Sequence, residues 1–291
     1  ASEPSTDRET YPLMRDLQDF IRLLRHKDEL VVVDAPVDPV LEITEIADRV
    51  GKKGGPALLF THPVGSTTPV LINQFGSRER MCMALRVKSY EELTQKVEAL
   101  VALEVPGSAW QKLKTLGRLK DLASLQPRVV KQGPCQQVVS TGDDIDLGSL
   151  PILQCWPLDA GRYITLPLVF TKHPRTGRRN VGMYRLQVYD KSTTGLHWHL
   201  HKDAAEHYRE YGGRMEVAVA IGTDPAITYA ATAPVPNIMD EMLFAGFLRG
   251  EAVELVQCRT VDLQVPADAE FVLEGYVDVN ESRQEGPFGD H

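Results

Sequence analysis

Asn180-Val181-Gly182-Met183-Tyr184-Arg185 opens a run, reaching Tyr189, that is rich in Val, Tyr and Leu. It follows the turn-prone Pro174-Arg175-Thr176-Gly177 and precedes the polar Asp190-Lys191-Ser192-Thr193, which is the setting of a β-strand. An amide begins the stretch and a guanidinium ends it. A strict pleat sends Asn180 and Arg185 to opposite faces, because an odd number of positions separates them. Bringing both to one site needs Asn180 in the entry loop or a bulge that re-aims one of them. Read alone, the run makes Arg185 a surface arginine; acidic segments further along give it another use.

Around this stretch strands dominate. From Val129 onward the pattern predicts them over Gln136–Ser140, Leu166–Thr171, Asn180–Tyr189, Glu216–Ile221, Ala226–Ala230, Ala252–Cys258 and Glu270–Val277. Helical signals are confined to Asp203–Tyr211 and Ile238–Arg249. Many strands with short turns and two helices suggest a barrel-like or sandwich-like domain over 126–291. The preceding 14–125 reads as a smaller α/β unit. Leu17, Phe20, Ile21 and Leu24 make one apolar helical face over Arg15–His26, and Glu29–Val33 reads as a strand. Pro39–Val50 and Tyr90–Glu104 read as helices, and Ala57–Phe60 and Pro69–Asn73 as buried strands. Residues 1–13 are polar and aperiodic, the composition of a disordered lead.

A chain of 291 residues suits about two domains, and 43% apolar with 25% charged residues is ordinary for a globular protein. A net charge of −8 argues against nucleic acid or an anionic membrane as the main partner. No apolar run reaches membrane-spanning length, and the start lacks a secretion signal's layout, which implies a cytoplasmic protein. Cys82, Cys135, Cys155 and Cys258 form no CxxC pair and read as reduced, buried, structural thiols.

Three segments carry residues suited to chemistry. In Leu196-His197-Trp198-His199-Leu200-His201-Lys202 a strand would put His197, His199 and His201 on one face. Such alternation suits a metal site, and equally a polar outer face. Pro234-Val235-Pro236 leads into a helix with Asp240 and Glu241 in its first turn, where the helix dipole favours a carboxylate. An amide oxygen, an imidazole and a carboxylate together would form a mixed, hard donor set suited to Mn²⁺ or Mg²⁺. The chain ends in Glu285-Gly286-Pro287-Phe288-Gly289-Asp290-His291, where a turn lets two carboxylates converge. If one of them pairs with Arg185 it stays ionised, while burial beside a like charge raises the proton affinity of the other.

In their order, Asn-Val-Gly-Met-Tyr-Arg at 180–185, the Trp198–Lys202 block, the Pro-Val-Pro entry to Glu241, Leu273-Glu274-Gly275-Tyr276 and Glu285-Gly-Pro-Phe-Gly-Asp-His resemble the UbiD family of reversible decarboxylases. The resemblance runs from about Met14 to His291. It implies an α+β protein: a small N-terminal α/β domain, then a split β-barrel flavin-binding domain, with the C-terminal domain of the family absent. It implies a carboxy-lyase acting on an aromatic or α,β-unsaturated carboxylic acid, by default a 4-hydroxybenzoate-type acid of quinone biosynthesis. The implied cofactors are prenylated FMN, Mn²⁺ or Mg²⁺, and a monovalent cation such as K⁺. By motif position, Asn180, His201 and Glu241 would hold the divalent metal. Met183, Tyr184, Arg185, His197, Trp198, His199, Lys202 and Asp203 would line the cofactor. Arg185, Glu285 and Asp290 correspond to the catalytic arginine and acid pair, with either acid as the proton donor. Members often carry other basic residues at the place of His197, and Arg-Gly at the place of Lys202-Asp203. A flavin prenyltransferase would supply the cofactor, and the full-length form would be a homo-oligomer. A flavin reductase-like oxidoreductase and a non-catalytic cofactor-binding or assembly module are the rival readings.

Overall fold

The structure, a computed structural model, describes residues 11, 14–101, 122–197, 213–233, 239–278 and 280–289. The first helix, α1 (Leu17–His26), begins where Asp16 accepts a hydrogen bond from the Asp19 N–H at 2.8 Å, and it buries Phe20, Leu23 and Leu24. Strand β1 (Leu30–Val33) leads into α2 (Glu42–Lys52), which starts after the expected Pro39 because Leu41, at φ 70°, lies outside the helical region. Strands β2 (Ala57–Phe60) and β3 (Val70–Ile72) complete a three-stranded sheet, parallel between β1 and β2 and antiparallel between β2 and β3.

Helix α3 (Arg78–Leu85) has no clear sequence period, because Arg80, Cys82, Met83, Ala84 and Leu85 are all buried and no polar face interrupts them. Ser77 caps it by accepting from the Arg80 N–H at 3.1 Å. Arg80 is only 1% exposed and donates to Glu29 Oε2 at 2.6 Å and to the Gly55 carbonyl at 3.0 Å. A buried guanidinium is tolerable only with such partners. Helix α4 (Tyr90–Val101) follows as expected.

The second part is built on an antiparallel sheet, ordered β13-β10-β6-β7, of β6 (Leu168–Lys172), β7 (Arg179–Met183), β10 (Arg214–Ile221) and β13 (Phe271–Asp278). Both faces of this sheet are buried along β6, β7 and β10, while the edge strand β13 is half-buried. Leu168, Phe170, Val181, Ala218 and Ala220 pack toward α5 (Pro225–Ala230) and α6 (Glu241–Arg249), while Val169, Met215, Val217 and Val219 pack with Ile152, Ile164, Tyr184 and Leu186. The period-2 alternation therefore divides two cores rather than a core from solvent. Two smaller sheets flank it: β4 (Arg128–Val130), β11 (Glu254–Gln257) and β12 (Gln264–Pro266) in the order β12-β11-β4, and β5 (Tyr163–Ile164), β8 (Leu186–Val188) and β9 (Thr194–Leu196) in the order β5-β8-β9. The architecture is mixed α and β with open sheets, and no closed barrel is present among the described residues.

Three expected strands differ. Gln136–Ser140 is not a strand: Pro134–Gln136 forms a 3₁₀ turn, and Val138, 87% exposed, has no sheet to join. Ala226–Ala230 is helical, because Asp224 caps the segment by accepting from Ala226 N–H at 2.7 Å and Pro225 suits the first helical position. Asn180–Tyr189 is divided at Tyr184-Arg185 into β7 and β8. The helix expected at Asp203–Tyr211 lies outside the described residues.

A buried ionic cluster joins the two parts. Arg86, at the end of α3, donates to Asp224 Oδ2 at 2.7 Å and to the Met14 carbonyl, and Arg249 lies 3.5 Å from the same carboxylate oxygen. Asp224 is fully buried. Replacing it by Asn keeps the helix cap but leaves two buried cations short of a counter-charge, so Asp224→Asn is expected to cost about 3–5 kcal/mol in urea unfolding. A loss below about 1 kcal/mol would show that the cluster is hydrated instead.

Candidate functional site

The break at Tyr184-Arg185 is a transfer between sheets. β7 pairs with β6, Asn180 opposite Thr171 and Met183 opposite Leu168, whereas β8 pairs with β5 and β9. Asn180 thus lies in the strand, not in an entry loop, and the interruption releases Arg185 from the pleat of β7. Tyr184 is buried in the core shared with Leu186 and Val217, and Met183 is half-buried. A Cβ on Gly182 would stand 2.5 Å from the Tyr184 ring, so that position requires glycine.

Arg185 grips Glu285 with two parallel hydrogen bonds, Nε to Oε1 at 2.8 Å and Nη2 to Oε2 at 3.0 Å. This fork geometry is the stronger form of an arginine–carboxylate pair. His197 Nδ1 lies 2.9 Å from Glu285 Oε2, and the His197 backbone N–H donates to the Arg185 carbonyl at 3.4 Å. Burial pushes the Glu285 carboxyl up, but the hydrogen bonds and charge of Arg185, with smaller help from His197, outweigh it and hold the group below the usual carboxylate range. The Arg185 guanidinium also lies 5.0 Å from the centre of the Phe288 ring.

The bend after Glu285 is held by residues that no charge or spacing pattern singled out. Gln187 accepts from Gly286 N–H at 2.9 Å, Tyr163 Oη donates to the Pro287 carbonyl at 3.2 Å, and Asp159 accepts from Gly289 N–H at 2.7 Å. The Tyr163 and Phe288 rings lie 4.5 Å apart. Gly286 has φ 88°, a conformation that other L-residues rarely adopt. The only hint in the sequence is Asp159-Ala160-Gly161-Arg162-Tyr163, a turn-forming stretch before a strand. Asp290 lies outside the described residues, as do Trp198, His199, His201, Lys202 and Asp203.

A second corner adjoins β7. Arg179 donates through Nε at 3.2 Å and Nη2 at 2.8 Å to Asp240 Oδ2, while Asp240 Oδ1 caps α6 by accepting from Met242 N–H at 2.8 Å. Asn180 and Glu241 follow these two residues in the chain, and both are 7% exposed. Burial, with Asp240 beside it, pushes the Glu241 carboxyl up to about 7, against the pull of Arg178 and Arg179. Among the described residues Asn180 Nδ2 is buried without a hydrogen-bond partner; it is a donor, so the atom of this amide that would ligate a cation is Oδ1. An amide and a desolvated carboxylate of this kind fit a hard divalent cation, which would supply the missing charge. No cluster of three His, Cys, Asp or Glu suited to a metal occurs among the described residues; Asn180 is not of these types, and His201 lies outside the described residues. A polar cavity of about 330 Å³ is lined in part by Lys172, Arg179, Asp240 and Asp262, and neither Arg185 nor Glu285 lines it.

All four cysteines are free. Cys82 and Cys258 are buried, Cys258 pushed up to about 12 by burial and the nearby Glu274, whereas Cys135 and Cys155 are only half-buried, short of the full burial expected. No helix among the described residues is long and apolar enough to cross a membrane.

The sequence and the fold are similar to those of known proteins. Residues 128–291 match the family described as UbiD, 3-octaprenyl-4-hydroxybenzoate carboxy-lyase Rift-related domain, and residues 21–100 match the N-terminal domain of the same carboxy-lyase. An uncharacterized protein of Archaeoglobus fulgidus is 52% identical over 281 residues, covering 95% of this chain and 57% of that protein. One of Aquifex aeolicus is 50% identical over 283 residues, covering 95% of this chain and 58% of its own length. The chain thus spans little more than half the length of these relatives. Among solved structures, the UbiD-class enzyme HmfF from Pelotomaculum thermopropionicum in complex with FMN is 32% identical with a TM-score of 0.81, covering 94% of this chain and 57% of its own. The vanillic acid decarboxylase of Sedimentibacter hydroxybenzoicus, in its open form, is 27% identical with a TM-score of 0.78, covering 96% of this chain and 56% of its own. With a family model matched over more than half its residues and the same domain order, the chain belongs to the UbiD family.

Proposed function

We propose that this chain carries the cofactor-binding and acid–base part of a carboxy-lyase that decarboxylates an aromatic or α,β-unsaturated carboxylic acid with prenylated FMN. The observation that carries the reading is the two-pronged grip of Arg185 on Glu285, placed by a sheet-to-sheet break and walled by Phe288. The second part of the chain is then the split barrel of this family, with the main sheet and its two flanking sheets as its wall. HmfF, which is similar in structure, is described with FMN and, in an evolved dimeric form, with prenylated FMN. Two other relatives are named for vanillic acid and 3,4-dihydroxybenzoic acid, so a hydroxybenzoate-type acid, including one of quinone biosynthesis, is the substrate class proposed.

When bound, the modified flavin supplies a covalent electron sink for the electrons left as CO₂ departs. The protein's own residues bind, orient and protonate. Arg185 steers the substrate carboxylate by charge and keeps Glu285 ionised. An ionised Glu285 is a poor proton donor, so the donor role falls to Asp290, which delivers its proton to the carbon that has lost CO₂. His197, expected against the cofactor, serves Glu285 in this reading. Met183 and the backbone of Tyr184 flank the flavin, as do Trp198, His199, Lys202 and Asp203. Asn180, Glu241 and His201 would hold Mn²⁺ or Mg²⁺, which, together with K⁺, would supply positive charge for the cofactor phosphate and take no part in the bond cleavage. The full-length protein works in the cytoplasm as a homo-oligomer, loaded by a flavin prenyltransferase.

Protein produced together with a flavin prenyltransferase is expected to carry prenylated FMN by mass spectrometry and to release CO₂ from at least one of a panel of hydroxybenzoic and cinnamic acids. Unmodified FMN reduced by NAD(P)H, with no CO₂ released, would turn the reading to a flavin reductase. Asp290→Asn is expected to lower CO₂ release by about 10²–10⁴-fold, the usual worth of a general acid, while retaining the flavin. Full activity in that variant would return the donor role to Glu285. The depressed carboxyl of Glu285 adds stability that is present above its unfolded pKa and lost as pH falls through its folded value. Glu285→Gln should therefore flatten the acid limb of the thermal-stability profile and leave its neutral-to-basic limb parallel to wild type.

A further inference from the structure

Beyond the Arg185 grip, the acidic bend is held from a segment that carries no expected catalytic residue. Asp159 is 7% exposed, and both carboxylate oxygens are engaged by backbone: Oδ1 accepts from Gly289 N–H at 2.7 Å and Oδ2 from Trp156 N–H at 2.9 Å. A buried carboxylate is costly to desolvate, and two amide donors offset that cost only while both stay in place. The two peptide groups are thereby held across one side chain. The fit leaves no slack, since a Cβ on Gly289 would stand 2.4 Å from Cδ1 of the Trp156 indole. Next to Asp159, the Ala160 N–H donates to the Pro287 carbonyl at 2.8 Å. At the other end of the bend Gln187, also buried, accepts from Gly286 N–H at 2.9 Å and donates to the Ala160 carbonyl at 3.4 Å.

We propose that Asp159 is a positioning residue for the acid pair: it clamps the bend at Gly289, one peptide before Asp290, while Gln187 clamps it at Gly286, one peptide after Glu285. This rests on the decarboxylase reading for its chemical meaning. Asp159 touches no reacting atom in it. Its part is to fix the backbone of the bend from Gly286 to Gly289 that leads from Glu285 toward Asp290, where a displacement of about 1 Å can cost about 100-fold in rate. The carboxylate is needed because one oxygen serves each donor; an Asn offers a single acceptor oxygen and would orphan one of the two N–H groups.

Two measurements on Asp159→Asn and Asp159→Ala test this, in protein loaded with prenylated FMN. In hydrogen exchange, the amides of Gly286, Phe288 and Gly289 are expected to exchange at least about 10-fold faster in Asp159→Ala and by an intermediate factor in Asp159→Asn, with β6, β10 and β13 unchanged. In turnover, kcat is expected to fall about 10- to 100-fold in the Ala variant and less in the Asn variant. KM, flavin content and flavin absorbance should stay at wild-type values. Unchanged protection of 286–289 in both variants overturns the clamp whether or not the protein is a decarboxylase. A parallel loss of kcat, flavin content and thermal stability makes Asp159 merely structural and also overturns it. Wild-type protein that releases no CO₂ from any acid counts against the decarboxylase reading alone, because the exchange arm still reports on the clamp.

Discussion

The arrangement of the second half depends on one constraint: a continuous stretch of extended chain must belong to two sheets. Between Met183 and Leu186 the backbone leaves the pairing with β6 and enters the pairing with β5 and β9. The residue at the transfer, Arg185, is released from both pleats and reaches Glu285, 100 positions later. Because the grip uses two donors and two acceptor oxygens, it sets the angle of the carboxylate as well as its distance. The bend at 286–289 is then built around a carboxylate whose place is already defined.

The same strand positions the second corner. Arg179 and Asp240 join the start of β7 to the start of α6, and the next residue in each element is the candidate ligand Asn180 or Glu241. An exposed ion pair of this kind would add little to stability. Here the partners are 18% and 30% exposed, and Asp240 also caps the helix, so the pair fixes which turn of α6 meets β7. In each element the residue after this fixed ion pair is a buried polar side chain whose oxygen suits a hard cation.

Much of this was legible in the sequence where periodicity or motif order carried it. Burial bears out the apolar face of α1 and the apolar runs of β2, β6 and β10, whereas β1 exposes Val31 and Val32 and β3, expected as buried, is only half-buried; Glu285 meets Arg185 as the charges of the two segments suggested. Errors fell where local propensity and tertiary context diverge. Ala226-Ile227-Thr228-Tyr229-Ala230 has a strand-like composition, yet Asp224 and Pro225 in front of it set a helix start. The run at 180–189 has no Pro, and its one Gly, Gly182, lies inside β7 and not at the sheet change, so a division made by pairing partners was invisible in one dimension. Asp159, Gln187 and Tyr163 were missed for a similar reason: their function is to accept from or donate to backbone groups more than 95 positions away, and such bonds leave no periodicity.

The charge balance at Arg185 also limits how an acid pair can be shared. One arginine held by both carboxylate oxygens satisfies Glu285 fully, and His197 adds a third contact, so Glu285 is the member of the pair with every reason to remain an anion. Any carboxyl brought beside that anion meets a negative neighbour whose own counter-charge is already engaged, and its proton affinity rises. A second carboxyl placed there would be the protonated member of such a pair, while Arg185 and His197 keep Glu285 the anion. The asymmetry follows from which of the two the guanidinium reaches. In this fold the choice is made by the backbone transfer at Tyr184-Arg185 and by the buried side chains that fix the bend.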